Sequence, residues 1–98
     1  MTIYKTRTGV VLTEICGEHL LVAAKALLDT CPYVTQVNES TAYVWNELKG
    51  GRTMEELVRK TVSEYEDDPK DIEDSLRGIV KELHGLGYLV TEENGTEE

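Results

Sequence analysis

The feature that most constrains this chain is the join inside Tyr33–Thr53, YVTQVNESTAYVWNELKGGRT, where a short extended run passes straight into a helix. Tyr33, Val34, Thr35, Gln36 and Val37 suit a pleated, half-buried strand, and Asn38 then supplies a side-chain oxygen that can cap the first free amides of a helix. The helix carries Tyr43, Val44, Trp45 and Leu48 on overlapping turns. It stops at Gly50-Gly51, because glycine accepts the left-handed backbone common just past a helix C-terminus.

The rest of the chain is short enough for a single domain. With 98 residues, 40% of them hydrophobic, it can bury a modest core. The formal net charge of −9 argues against a nucleic-acid partner, because phosphate binding needs a surplus of Lys and Arg. Cys16 and Cys31 form no C-x-x-C pair, and His19 and His84 lie far apart in sequence, so no metal site and no cofactor is expected. The segment MTIYKTRTG lacks the apolar core of a signal peptide, and no run approaches the roughly 20 apolar residues of a membrane span. The expected location is the cytoplasm, with reduced thiols and no membrane partner.

Residues 1–8 are polar and read as an arm. Val10–Cys16 (VVLTEIC) and His19–Ala23 (HLLVA) read as two strands of a hairpin, with a tight turn at Gly17-Glu18. Ala24–Pro32 is ambiguous, since it suits either a strand extension or a short helical turn before Pro32. After the first helix, Thr53-x-x-Glu56 has capping-box spacing and starts a second helix with a stripe of Leu57, Val58, Thr61, Val62 and Tyr65. Asp68-Pro69 starts a third, in which Asp71, Glu73 and Asp74 favour the positive end of the helix dipole. Gly85 and Gly87 mark its end, and Tyr88-Leu89-Val90 reads as a short last strand.

The order of strands followed by helices implies an α+β domain over residues 1–90, a three-stranded antiparallel sheet followed by three helices. The acidic stretch Thr91–Glu98 reads as a disordered tail. In the third helix, Ile72, Leu76, Ile79, Val80, Leu83 and Leu86 share an arc of roughly 120° at about 100° per residue. Lys70, Arg77, Lys81 and His84 form a separate basic stripe within roughly 60°. The stripe suits either a solvated face paired with Glu73 and Asp74 or the positive rim of a binding groove. Trp45, Tyr43 and Tyr65 read as core aromatics, and the cysteines as small apolar residues or inert thiols.

Together these residues resemble the PqqD-like family, the recognition elements for precursors of ribosomally made, modified peptides. The resemblance is carried by Val37-Asn38-Glu39-Ser40-Thr41-Ala42, Trp45, Leu48-Lys49-Gly50-Gly51-Arg52-Thr53, Glu55-Glu56-Leu57-Val58, Tyr65 and Leu83–Leu89, and spans about residues 10–90. It implies a winged helix-turn-helix-like fold and a non-catalytic adaptor. Such adaptors hold the leader of a precursor peptide as an added strand and present it to a modifying enzyme, often a radical enzyme using S-adenosylmethionine.

Carried to this chain, the docking strand is Tyr33, Val34, Thr35, Gln36 and Val37, with Leu76, Arg77, Val80, Lys81 and His84 of the third helix on the facing side. Strand addition is physically sensible, because an edge strand offers unpaired amides and carbonyls while alternate side chains enter pockets. A positive rim beside apolar anchors predicts a leader carrying Asp or Glu next to Leu, Ile or Phe. The open edge also allows self-pairing into a homodimer. A winged-helix DNA-binding regulator is the alternative that shares this topology, and the excess of acids weighs against it. An enzyme would need a nucleophile, base or metal constellation, and none is recognisable.

Overall fold

The computed structural model describes residues 1–93. The elements run β1 (Thr2–Thr6), β2 (Val10–Ile15), β3 (Glu18–Ala23), β4 (Val34–Val37), α1 (Glu39–Glu47), β5 (Arg52–Thr53), α2 (Met54–Glu64), α3 (Pro69–Gly85) and β6 (Leu89–Glu93). They form an α+β fold with two three-stranded antiparallel sheets, ordered β2-β3-β4 and β5-β1-β6.

The first sheet is the hairpin-and-return expected from the sequence. Ile15 pairs with Glu18, so the connecting loop is Cys16-Gly17 and not Gly17-Glu18. Both loop residues have positive φ, 54° and 79°, as a two-residue turn matched to the strand twist requires. The ambiguous connection resolves into a single 3₁₀ turn at Lys25–Leu27.

The second sheet was not visible in the sequence. Thr2–Thr6 is no polar arm but the central strand between β5 and β6. Its partners lie some fifty and ninety residues away, as in Ile3 opposite both Thr53 and Glu92, so no local signal marks it. The same pairing turns Thr91, Glu92 and Glu93, expected in a tail, into strand residues, with Thr2 opposite Glu93. The remainder of that expected tail lies outside the described residues.

The helix boundaries follow the capping chemistry. Asn38 Oδ1 accepts from the Thr41 amide at 2.8 Å. Thr53 Oγ1 accepts from the Glu56 amide at 3.1 Å while the Thr53 amide donates to Glu56 Oε1 at 2.9 Å. Asp68 Oδ1 accepts from the Lys70 amide at 2.8 Å. Between the helices and the β2-β3-β4 sheet lies the core, in which Leu21, Val44, Trp45, Leu48, Leu57, Leu83 and Tyr88 are almost wholly buried. Each such large apolar side chain contributes about 1.5–3 kcal/mol over its exposed state. Tyr65 departs from the expected core: its backbone is already extended at the end of α2, so it leaves the helical stripe and stands exposed. Cys31 is buried as expected, whereas Cys16 sits exposed in its turn.

Candidate functional site

Strand β4 lies at an edge of its sheet, paired with β3 on one side only. The register decides what its free side offers. The Ala23 amide donates to the Tyr33 carbonyl at 2.8 Å, so residues 23 and 33 form a hydrogen-bonded pair. Bonded and non-bonded pairs alternate along an antiparallel ladder. Leu21–Thr35 and His19–Val37 are therefore bonded pairs, and Val22–Val34 and Leu20–Gln36 are not. The amides and carbonyls of Val34 and Gln36 consequently point away from β3, toward open space. Side chains alternate too: Thr35 and Val37 are half-buried toward the core, and Val34 and Gln36 are exposed.

A buried tyrosine fixes this strand from beneath. The Tyr88 hydroxyl donates to the Pro32 carbonyl at 2.9 Å. Its one proton is then committed, so the 2.6 Å contact with Thr35 Oγ1 has threonine donating to the phenol oxygen. The ring stands edge-on to Trp45, with centroids 6.4 Å apart. Burial raises the Tyr88 pKa above the usual tyrosine value, which the threonine hydrogen bond partly opposes, so the phenol stays protonated. Gly87 makes the close approach possible. Its φ is +90°, and a Cβ there would stand 2.3 Å from the Thr30 carbonyl oxygen. Tyr88, expected as the first residue of the last strand, instead precedes β6, which begins at Leu89, and the Gly85-Leu86-Gly87 spacing before it is the sequence signal for its close approach.

At the Val37 end of β4 a groove of about 780 Å³ opens between the helices. His19, opposite Val37 in the ladder, and Glu39 and Ser40, just beyond it, stand on the groove wall. The apolar lining comes from Ala42 and Tyr43 of α1, Tyr65 after α2, and Ile72, Leu76 and Ile79 of α3. Tyr43 and Tyr65 meet edge to face at 5.7 Å. Burial and a 2.7 Å hydrogen bond to Glu64 push the Tyr43 phenol up to about 12. Glu39, Asp67, Asp68 and Asp71 make the groove acidic, and no Lys or Arg lines it among the described residues.

The other expected site residues are dispersed. Leu76 lines the groove, but Val80 is 2% exposed and belongs to the core. Arg77 lies on the opposite flank of α3, in a shallow depression with Met54, Glu55 and Val58 of α2, and its guanidinium is held by Glu73 at 2.6 and 2.9 Å. Lys81 and His84 are exposed on the same flank of the helix as Arg77, about 40° and 20° from it. The basic stripe is thus turned away from the groove. Among the described residues no His, Cys, Asp and Glu group is arranged to hold a metal ion, and no helix is long and apolar enough to cross a membrane.

Fold and site together define a small domain in which the open edge at β4 is clamped from below and ends at a helical groove. A family model described as Coenzyme PQQ synthesis protein D (PqqD) matches residues 19–89, from β3 to the start of β6. The chain belongs to the PqqD family. No curated protein matches it. Two solved structures share the fold. "TbiB1 in Complex with the TbiA(beta) Leader Peptide" is 24% identical with a TM-score of 0.67, covering 87% of this chain and 93% of that one. "Lasso peptide synthetase B1 complexed with the leader peptide" is 18% identical with a TM-score of 0.68, covering 89% and 96%.

Proposed function

We propose that this protein is a non-catalytic adaptor that binds the leader of a ribosomally made precursor peptide by strand addition at β4 and presents it to a modifying enzyme. The observation that carries the reading is the free edge: Val34 and Gln36 present two amides and two carbonyls outward from a strand that Tyr88 holds in place. An extended peptide satisfies these groups with main-chain bonds, and specificity then comes from the side chains it sends into neighbouring depressions. Membership of the PqqD family supports this, as do two structural neighbours that were each solved with a leader peptide. The enzyme receiving the peptide would be of the radical type that uses S-adenosylmethionine, in keeping with the family resemblance.

Hydrogen exchange tests the mode of binding without perturbing the fold. The Val34 and Gln36 amides should exchange rapidly in the free protein and slowly with peptide bound, while Thr35 and Val37, already bonded to β3, change little. Val34→Pro and Gln36→Pro remove only outward amides and should weaken binding while leaving the fold intact; Thr35→Pro breaks the ladder to Leu21 and should destabilise the domain. A peptide that binds without protecting Val34 or Gln36 would rule out strand addition.

A further inference from the structure

We infer that the leader taken by this protein carries a basic flank, one or two Lys or Arg residues, seated in the groove at the Val37 end of β4. The inference rests on strand addition and adds the chemistry of the ligand. A peptide strand on β4 that continues past Val37 reaches Glu39, which begins α1 on the groove wall. There it meets an apolar floor with carboxylates around it. Ile72 and Ile79 can cover the aliphatic stem of a long cationic side chain, and the exposed Tyr65 ring offers a π face to its charge.

What sets this groove apart is that four carboxylates surround an apolar floor with no Lys or Arg among its described lining residues; carboxylates without an ion pair, such as Asp74 and Glu82, also stand on α3 outside it. Elsewhere on the helices, Glu47, Glu55, Glu64 and Glu73 each have a Lys or Arg partner within 4 Å. In the groove, Glu39, Asp67 and Asp71 have no ion-pair partner among the described residues. Asp68 has one oxygen committed to the Lys70 amide, so it caps α3 and is left out of the test below. Complementary charge here would add register and on-rate more than bulk affinity. It is the reverse of the acidic leader that the α3 stripe suggests, because the stripe faces away.

The probe is a displayed library of random peptides of about 16 residues, selected on the whole protein, with binders kept only if they protect the Val34 and Gln36 amides from exchange. These should be enriched in Lys or Arg on one flank. Changing that flank to Gln should weaken binding roughly two- to thirtyfold at low salt, as expected for one or two exposed ion pairs, and less at high salt. The combined Glu39→Gln, Asp67→Asn and Asp71→Asn variant should show the same loss, with no further loss from the Gln peptide. Strand-protecting binders that lack a basic flank, or are indifferent to both changes, would overturn the charge inference and leave strand addition standing. Binders that never protect the two amides would overturn both.

Discussion

Tyr88→Phe removes a single oxygen atom and tests whether β4 is held from below. The ring stays to fill its place against Trp45, so the loss of packing is small. Two hydrogen bonds go: the phenol's donation to the Pro32 carbonyl at 2.9 Å and the Thr35 hydroxyl's donation to the phenol at 2.6 Å. A typical internal hydrogen bond contributes about 0.5–1.5 kcal/mol, which puts the pair at about 1–3 kcal/mol. At about 4–8 °C per kcal/mol for a domain of this size, a central loss of about 2 kcal/mol lowers Tm by about 8–16 °C. Thermal and urea unfolding measure it. A double-mutant cycle with Thr35→Val isolates the threonine contact and should return a coupling of at least about 0.5 kcal/mol. Exchange of the Thr35 and Val37 amides should also quicken more than that of α2 amides, because the loosened element is β4. A loss below about 0.5 kcal/mol, or acceleration spread evenly over the domain, would refute the clamp.

Other expectations follow from single positions. Gly87→Ala forces a side chain onto a residue at φ +90° and places its Cβ 2.3 Å from the Thr30 oxygen, so calorimetry should show a loss above about 2 kcal/mol. Tyr43 binds its proton more tightly folded than unfolded, its pKa being raised to about 12 from 10.0. Its contribution is therefore complete below pH 10 and is lost as pH rises toward 12, and the stability gap between the parent and Tyr43→Phe should narrow over that window in urea titrations. Arg77→Glu with Lys81→Glu should leave leader binding within about twofold at low salt, because both side chains lie on the flank of α3 away from the groove.

What could be read from the sequence was whatever local chemistry specifies. Asn38, Thr53 and Asp68 each cap a helix with atoms within three residues, so their signals survive without tertiary context. The alternating run at β4 was legible for the same reason. Strand β1 was not, because Thr2–Thr6 gains its identity from partners at residues 52–53 and 89–93. The helical wheel of α3 separated its apolar and basic arcs correctly, but a wheel has no external reference. Which arc meets the groove depends on how α3 lies against α1 and α2, and that packing placed Asp71 at the groove and Arg77 on the opposite flank beside Met54 and Val58 of α2; the Arg77–Glu73 pair, four residues apart on one helix, was legible locally. The task of Tyr88 was missed because its hydroxyl is matched to Pro32 and Thr35, more than fifty residues earlier.

The division of labour on β4 explains why a binding strand can remain open without fraying. An edge strand is held on one side only, and one of four residues has few ladder bonds to lose. Here the tethers of the β4 segment all use groups other than those left for a ligand. Tyr33, Thr35 and Val37 give their backbone to β3, Thr35 gives its side chain to Tyr88, and the Pro32 carbonyl accepts from Tyr88. Val34 and Gln36 keep their backbone groups free. Ordering the strand in advance removes an entropic cost of about 1–2 kcal/mol per residue that a mobile segment would incur on binding. Loosening the clamp should therefore lower peptide affinity without touching any atom of the interface, whereas a change at the outward amides should lower affinity without loosening the strand. The two kinds of variant are distinguishable by exchange in the free protein: Tyr88→Phe speeds Thr35 and Val37 before any peptide is added, and Gln36→Pro does not.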